Sequence, residues 1–296
     1  MIKVVITGAS GFLGSNIIQK LANDSDVMVY ALSSKCSESL FSNVKMVHKD
    51  IIDCDEAKEI LSDAIVVNCA FPRNSTGNGM ADGLSYINRV FMACSKYRAK
   101  AIINISSQSV YSQTRDFMAD EQSEICLESP YAVGKYATEL MLKGICEGTQ
   151  TAYTNLRLAS LIGPGFDQRI VNRLVKKAVA MEPISITISD QRFGFLDIED
   201  AVDAVTSLLH SDIRKWKSVY NVGNGKAISL EDIITNIAEV FQERKFPMPA
   251  VSYVNEEKSG STAVSFQSLH DDAGFEPHIS LKTSIIRILD HIQTTI

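Results

Sequence analysis

The sequence lacks the features that mark nucleic-acid-binding and membrane proteins. Its 296 residues carry 29 Lys and Arg against 35 Asp and Glu, a formal net charge of −6. An extended nucleic-acid surface would be basic, so none is expected. No apolar run reaches the length of a membrane-spanning helix, and the first apolar stretch ends at Thr7 and Gly8, too early for a secretory signal. These absences favour a cytoplasmic protein.

The spacings of the cysteines and histidines indicate neither a disulfide framework nor a metal site. The six cysteines form no CxxC pair, which favours reduced, buried thiols. The five histidines show no metal-ligand spacing such as HExxH, so no metal is expected. A 45% hydrophobic composition gives enough apolar residues for a substantial core.

Short apolar runs alternate with amphipathic segments through the first half of the chain. Runs rich in β-branched residues are typical of strands buried on both faces of a parallel sheet. We predict strands at 3–6, 27–32, 44–48, 65–69, 101–106 and 151–158, and helices around 14–23, 55–61, 80–96 and 130–147. The repeated strand–helix–strand order predicts an α/β fold with a Rossmann-type doubly wound parallel sheet.

Three glycines stand between the first predicted strand and the first predicted helix. Glycine permits a positive φ and a close approach to a pyrophosphate, and the helix N-terminus offers unpaired N–H groups to the anion. The spacing is GxxGxxG rather than GxGxxG, and a plain tight turn is the alternative. The position directly after the first strand favours a dinucleotide cofactor. The predicted ligands in this loop are Gly8, Ser10, Gly11, Phe12, Leu13 and Gly14.

The second predicted strand ends at Ser33, Ser34 and Lys35 without the acidic residue that would hold a ribose diol. This slightly favours NADP, with these three residues as ligands of its 2′-phosphate. The alternative is that they are solvated loop residues and that either NAD or NADP binds. Asp50 and Ile51, after the third predicted strand, are candidates for the adenine edge, although Asp50 is equally suited to cap a helix.

After residue 165 the rhythm changes to a mixture of short strands and helices. Helices are predicted at 169–181, 201–210, 231–242 and 281–292, strands at 184–188, 195–198 and 219–222, and a loop-rich stretch at 247–275. We expect residues 1–162 plus 195–224 to form the NAD(P)-binding domain. Residues 163–194 plus 225–296 are then a smaller mixed α/β lobe that binds the substrate.

Tyr131 and Lys135 lie four residues apart near the start of a predicted helix, so both project from one face. A free tyrosine titrates near pH 10, so ionisation at about pH 7 needs roughly 4 kcal/mol of preference for the phenolate. An ammonium about 4 Å away at an effective dielectric near 20 supplies roughly that amount. We expect Lys135 to make Tyr131 a proton carrier, although YxxxK pairs are common on solvated helix surfaces.

Serines end the fifth predicted strand at the carboxyl edge of the sheet, where ligands of this architecture bind. A hydroxyl there would hydrogen-bond a substrate oxygen and stabilise charge developing on it. Ser107 is the predicted third catalytic group, with Ser106 and Ser109 as neighbours and Ser109 as a substrate contact. Glycine loop, serine-ended strand and YxxxK, in that order, predict an NAD(P)-dependent redox enzyme.

At these motifs the chain resembles the extended short-chain dehydrogenase/reductase family, which contains nucleotide-sugar epimerases and dehydratases. Matching elements run almost end to end, at 7–14, 68–70, 106–111, 129–135, 156–157, 163–165, 195–200, 220–223 and 274–277. The resemblance implies that Tyr131 is the catalytic acid/base, Lys135 its activator and a ribose ligand, and Ser107 the group that orients the substrate. It also implies that Cys69 and Ala70 contact the cofactor, and that the C-terminal lobe holds a nucleotide diphosphate sugar.

The chain departs from the family pattern at three places. The 4,6-dehydratases carry an Asp-Glu pair after the position of Ser107, where this chain has Gln108 and Ser109, so dehydratase activity is not expected. Ser160 replaces an asparagine common in nucleotide-sugar enzymes. The Arg-x-Gly-Asp stretch that commonly helps to bind the diphosphate is matched only loosely, at 258–261. Arg169, Arg173 and Arg192 are alternative ligands of the diphosphate, although each is equally suited to be a solvated helix or loop arginine. Arg157 is a further candidate for substrate binding.

Three functions are compatible with the sequence. The first is an NAD(P)-dependent nucleotide-sugar epimerase, which oxidises and reduces one sugar carbon with retained cofactor. The second is an NADPH-dependent ketoreductase acting on a keto-sugar nucleotide or another carbonyl. The third, a non-catalytic dinucleotide-binding regulator, would not need tyrosine, lysine and serine together. The resemblance further implies a homodimer joined through the helices predicted at 80–96 and 130–147.

Overall fold

The fold is described by a computed structural model, for residues 1–35, 39–72 and 77–295. In chain order the strands are β1 (Ile2–Thr7), β2 (Val27–Ser33), β3 (Val44–His48), β4 (Ile65–Asn68), β5 (Ala101–Ser107), β6 (Ala152–Leu158), β7 (Ser160–Ile162), β8 (Ile184–Arg192), β9 (Phe195–Asp197), β10 (Val219–Val222) and β11 (Val251–Ser261). The α-helices are α1 (Phe12–Leu21), α2 (Ala57–Leu61), α3 (Gly77–Lys96), α4 (Pro130–Cys146), α5 (Ile170–Val179), α6 (Ile198–Leu209), α7 (Leu230–Glu243), α8 (Gln267–Ala273) and α9 (Leu281–Thr295). None of the helices that the structure describes is long and apolar enough to cross a membrane.

Seven strands form one sheet in which all neighbours are parallel. The order β10-β6-β5-β4-β1-β2-β3 grows outward in both directions from β1 and β4, which is the switch point of a doubly wound sheet. Successive strand residues face opposite sides, so Ile6 and Val5 pack in different cores. Burial on both faces explains the continuous apolar runs. The predicted Rossmann-type fold class is confirmed.

A smaller lobe is built around α5, α7 and α9, whose apolar faces meet. Its core takes Val175, Ile237 and Ile288, one from each helix. Two parallel strand pairs, β8 with β11 and β7 with β9, complete it. Ser229 and Asp232 form a capping box at the start of α7, in which each side chain accepts a hydrogen bond from the other residue's backbone N–H.

The prediction that 247–275 is loop-rich is wrong, because β11 and α8 lie there. Residues 252–259 of β11 are exposed, so no apolar alternation marks the strand in the sequence. It forms because its backbone pairs with β8. In α8 only Leu269 is buried, and seven residues are too few to reveal helical periodicity.

Two buried aspartates at the start of α6 connect the lobe to the sheet. Asp197 accepts hydrogen bonds from Ser284 at 2.5 Å and from Arg287 at 2.8 Å, both on α9. Asp200 accepts from the backbone N–H groups of 278–279 at 3.0 and 3.2 Å. A buried carboxylate needs such partners, so these bonds fix where α9 lies relative to α6.

The domain boundaries that we predicted, 1–162 plus 195–224 and 163–194 plus 225–296, stay a prediction. Val264, Leu269 and Phe275 come from the segment assigned to the lobe, yet they pack in one core of the large sheet. The chain therefore returns from the lobe to the sheet between β11 and α9.

Five cysteines fall within the described residues, and all are free thiols. Cys94 and Cys146 are buried and Cys69 is partly buried, whereas Cys54 and Cys126 are exposed. The expectation of buried thiols is wrong for these last two, which lie in connecting segments between helices and strands. Cys36 lies outside the described residues.

A row of buried polar side chains crosses four adjacent strands of the large sheet. Thr7, Asn68, Asn104 and Asn155 lie in register on β1, β4, β5 and β6. Thr7 donates to Asn68 at 2.7 Å, Asn68 to Asn104 at 2.9 Å, and Asn104 to Asn155 at 2.8 Å. Because buried polar groups require hydrogen-bond partners, this row fixes the side-to-side alignment of the strands whose carboxyl ends carry the site.

Candidate active site

The turn between β1 and α1 lies against the segment that follows β4. Gly8 has a φ of +66°, and a Cβ there would lie 2.7 Å from the backbone nitrogen of Ala70. The N–H of Gly11 donates to the carbonyl of Gly8 at 2.9 Å and closes the turn. Because glycine has no side chain, the backbone of this turn is uncovered at the start of α1. The unpaired N–H groups of that helix start suit a phosphate. The turn fits the pyrophosphate of a dinucleotide.

A cavity of about 360 Å³ opens beside this turn, within the size range of small-molecule sites. Of the predicted cofactor ligands, those that line it are Gly8, Ser10, Ser33, Ser34 and Ala70. Sequence reasoning missed the other lining residues, among them Lys49, Phe71, Asp82 and Tyr86. These come from separate segments and carry no motif, and only the folded chain brings them together.

Of the candidates for cofactor specificity, Ser33 and Ser34 line this cavity, whereas Lys35, Asp50 and Ile51 do not. Ser33 is buried, and its Oγ accepts from the backbone N–H of Lys35 at 3.2 Å, while the Lys35 side chain is exposed. Asp50 is exposed beside the ring of His48, at 3.4 Å, and Ile51 packs with one core of the sheet. The cavity lining includes neither Asp50 nor Ile51, so their predicted contact with adenine has no support in this geometry.

Ser107, Tyr131 and Lys135 come together where β5 ends beside α4. Ser107 is the last residue of β5, and its Oγ lies 3.0 Å from the Oγ of Ser109. Ser129 caps α4, which places Tyr131 in the first turn of the helix. The hydroxyl of Ser107 lies close enough to the phenol of Tyr131 to lower the pKa of that phenol. The two hydroxyls thus face one point at the carboxyl edge of the sheet.

Lys135 lies one helical turn further along α4 and is buried. Its Nζ donates to the carbonyl of Ile105 at 2.8 Å and lies 4.2 Å from the centroid of the Phe71 ring. The distance from Nζ to the centroid of the Tyr131 ring is 5.9 Å. Burial lowers the pKa of Lys135 to about 8, against the opposing effect of neighbouring acidic side chains.

The protein's own groups do not make Tyr131 acidic, which departs from our expectation. Burial raises the pKa of the phenol, although the neighbouring Ser107 hydroxyl and the charge of Arg169 lower it. The ammonium of Lys135 is directed at a backbone carbonyl instead of at the phenol. Ionisation of Tyr131 near neutral pH therefore needs additional positive charge, which an oxidised nicotinamide ring carries.

The prediction that Arg157 binds substrate does not fit the structure. Arg157 is 6% exposed, and its guanidinium donates to the carboxylate of Glu139 at 2.7 and 3.0 Å and to the hydroxyl of Tyr111 at 2.8 Å. Ser106 donates to the same carboxylate at 2.5 Å. This buried ion pair connects β5, β6 and α4, and its hydrogen-bonding groups are directed inward.

The charge of Arg169 lowers the pKa of the Tyr131 phenol. Arg169 directly precedes α5 and is exposed, with its guanidinium carbon 5.5 Å from the centroid of the Phe166 ring. Phe166 in turn stacks on Phe12 of the glycine turn, with centroids 4.2 Å apart. Sequence reasoning missed Phe166. Arg192 instead donates to two backbone carbonyls of its own strand, β8.

The site can hold an oxygen atom of a bound molecule and exchange a proton with it. Ser107 and Tyr131 offer two hydroxyls at one point, and the glycine turn beside them suits a dinucleotide. The fold and this site define a dinucleotide-dependent enzyme of the extended short-chain dehydrogenase/reductase type. Residues 4–223 match the model of the NAD dependent epimerase/dehydratase family, and the chain belongs to that family.

Relatives and solved structures of this family are similar over almost the whole chain. The protein named "Putative UDP-glucose 4-epimerase" from Methanocaldococcus jannaschii is 24% identical, with 97% of each chain covered. The human dTDP-D-glucose 4,6-dehydratase is 22% identical, covering 97% of this chain and 89% of its own. Among solved structures, UDP-glucuronic acid 4-epimerase from Bacillus cereus, in complex with a fluorinated UDP-glucuronic acid and NAD, superposes with a TM-score of 0.85 at 20% identity, with all of both chains covered.

Proposed function

We propose that this protein is a nucleotide-sugar epimerase that inverts one hydroxyl-bearing carbon of the sugar with a retained nicotinamide cofactor. Relatives named as UDP-glucose epimerases and structures of UDP-glucuronic acid and UDP-N-acetylglucosamine 4-epimerases support this reading, and carbon 4 is the position that their names specify. The observation that carries the proposal is the pairing of Ser107 with Tyr131 beside the glycine turn. Gln108 and Ser109 stand where dehydratases of the family carry their acidic pair.

Each reacting residue has a role that follows from its position. Tyr131 takes the hydroxyl proton of the sugar and returns it, while Ser107 donates a hydrogen bond to the same oxygen. When bound beside the glycine turn, NAD would supply reversible hydride chemistry at the same carbon of the sugar. Lys135 contributes positive charge and binds the cofactor ribose. Arg169, exposed near the phenol, binds an anionic group of the substrate.

We propose NAD as the cofactor. The structural neighbours whose cofactor is named contain NAD, and they lend no support to the preference for NADP that the serines suggested. Ser33, Ser34 and Lys49 would nevertheless lie near a 2′-phosphate, since all three line the cavity. Titration of the purified protein with NADH and with NADPH, followed by fluorescence, would measure the two dissociation constants directly.

Replacing Tyr131 by Phe tests the function. Wild-type protein is incubated with UDP-glucose, UDP-N-acetylglucosamine and UDP-glucuronic acid, and the products are resolved by proton NMR. We expect one epimer without net reduction of NAD, and a loss of about 10²–10⁴ in kcat for Tyr131→Phe because the proton carrier is removed.

Two outcomes would contradict the proposal. Undiminished activity of the Phe variant would show that Tyr131 is not the proton carrier. Stoichiometric consumption of NADPH with a keto-sugar, and no epimer from any nucleotide sugar, would identify a ketoreductase instead.

We also propose that two copies associate through α3 and α4. Met92 on α3 and Val133 and Leu140 on α4 are large apolar side chains that are half exposed or more. The two helices pack together, so these side chains belong to one neighbourhood of the surface. Exposed apolar side chains grouped on two adjacent helices favour a protein interface.

A further inference from the structure

Helix α4 also carries a buried carboxylate, that of Glu139. Glu139 is neither the proposed proton carrier, Tyr131, nor its proposed activator, Lys135. Glu139 follows Lys135 by four residues on α4, so both side chains lie on one face of the helix. Both residues are 5% exposed. Little solvent screens the attraction between a buried ammonium and a buried carboxylate at this spacing.

The carboxylate is held firmly in this position by groups from two strands. Arg157 on β6 donates to both of its oxygens, at 3.0 Å and 2.7 Å, and Ser106 on β5 donates to one of them at 2.5 Å. Arg157 is itself fixed by the hydroxyl of Tyr111 at 2.8 Å. Strands β5 and β6 therefore hold the carboxylate of Glu139 at a fixed position, one helical turn along α4 from Lys135.

We propose that Glu139 is a positioning residue for proton transfer, which keeps the Lys135 side chain charged at neutral pH. The only hydrogen bond that the described residues accept from Lys135 is at the neutral carbonyl of Ile105, and this bond supplies no compensating charge. The inference rests on the proposed function only for the role of Lys135. The ionisation of Lys135 itself is measurable without any substrate.

The other titratable groups around Lys135 do not serve this purpose. Cys69, which follows β4, stays a neutral thiol because burial raises its pKa to about 12. Burial also raises the pKa of Tyr131 on α4. Arg157 and Arg169 are cations, and a cation does not favour a second positive charge nearby. Cys69 and Glu139 both raise the pKa of Lys135, and of these two groups Glu139 is the carboxylate.

The sign of the effect follows from the pKa of Lys135, which burial lowers to about 8. Below that pH the amine is charged, and the charge is lost as the pH rises through it. Removing the carboxylate lowers this pKa further, so the charge is lost at a lower pH. The alkaline limit of activity should move in the same direction, while an altered fold alone would lower activity at every pH.

The test is an NMR titration of Lys135 in protein labelled with ¹³C at lysine Cε, with Lys135→Met to assign its signal. We expect Glu139→Gln to lower the midpoint by about one to two pH units. Ser106→Ala, which removes one hydrogen bond to the carboxylate and no charge, should shift it by a few tenths at most.

A second variant covers the case in which the unpaired arginine prevents folding of Glu139→Gln. In Glu139→Gln/Arg157→Met both charges are removed, and the midpoint is compared with that of Arg157→Met alone. A lower midpoint in the double variant supports the proposal. Equal midpoints in this pair, or an unchanged midpoint in folded Glu139→Gln, would overturn it, whatever reaction the enzyme proves to catalyse.

Discussion

The ionisation of Tyr131 depends on where its side chain lies in the fold. Tyr131 must be buried to face the substrate oxygen, and burial works against its ionisation. The protein's own groups therefore favour the neutral phenol, and in the proposed reaction the charge of an oxidised cofactor would make it a base. This coupling suits an enzyme that retains its cofactor, because the base is made only when the hydrogen acceptor is present.

Gly8→Ala is expected to weaken cofactor binding by tenfold or more. The added Cβ would lie 2.7 Å from the nitrogen of Ala70, and the φ of +66° disfavours any residue with a side chain. Gly144→Ala is a matched control, since the same methyl group enters open space on α4. Dissociation constants for NADH measured by fluorescence check this, and equal values for the two variants would contradict it.

Among the helices and strands, the sequence predicted those that a regular pattern of apolar residues marks. The strands of the large sheet were found within about two residues because burial on both faces leaves continuous apolar runs. β11 was missed because residues 252–259 are exposed and its existence depends on pairing with β8. The inward direction of Arg157 depends on Glu139 and Tyr111, and no local pattern records that pairing.

Ser229→Ala should destabilise the lobe by about 1 kcal/mol. Its hydroxyl accepts from the N–H of Asp232 at 3.0 Å, and the loss of this bond leaves one orphan donor at the start of α7. Ser85→Ala, an exposed substitution inside α3, should stay within about 0.5 kcal/mol of wild type. Urea unfolding followed by circular dichroism compares them, and equal midpoints would argue against a stabilising cap.

Helix α4 contributes both to the candidate active site and to the outer surface of the protein. The N-terminal turn of the helix carries Tyr131, and its inward face carries Lys135 and Glu139, while Val133 and Leu140 are 50% and 53% exposed on the other side. A partner that covers this outer face would stiffen the helix that positions the proton carrier. Association and catalysis are then linked through one element, and a variant that separates the copies should also lower activity.

Leu140→Glu is therefore expected to convert a dimer to a monomer, because it places a carboxylate from each copy in an apolar contact. Leu40→Glu is the matched control, since Leu40 is 98% exposed and lies near β3, away from both helices. Sedimentation equilibrium of wild type and both variants measures the mass of each. Wild-type protein that sediments as a monomer, or a Leu140→Glu variant that remains a dimer, would place any interface elsewhere. A monomeric Leu140→Glu variant with intact cofactor affinity and reduced kcat would tie association to the geometry of α4.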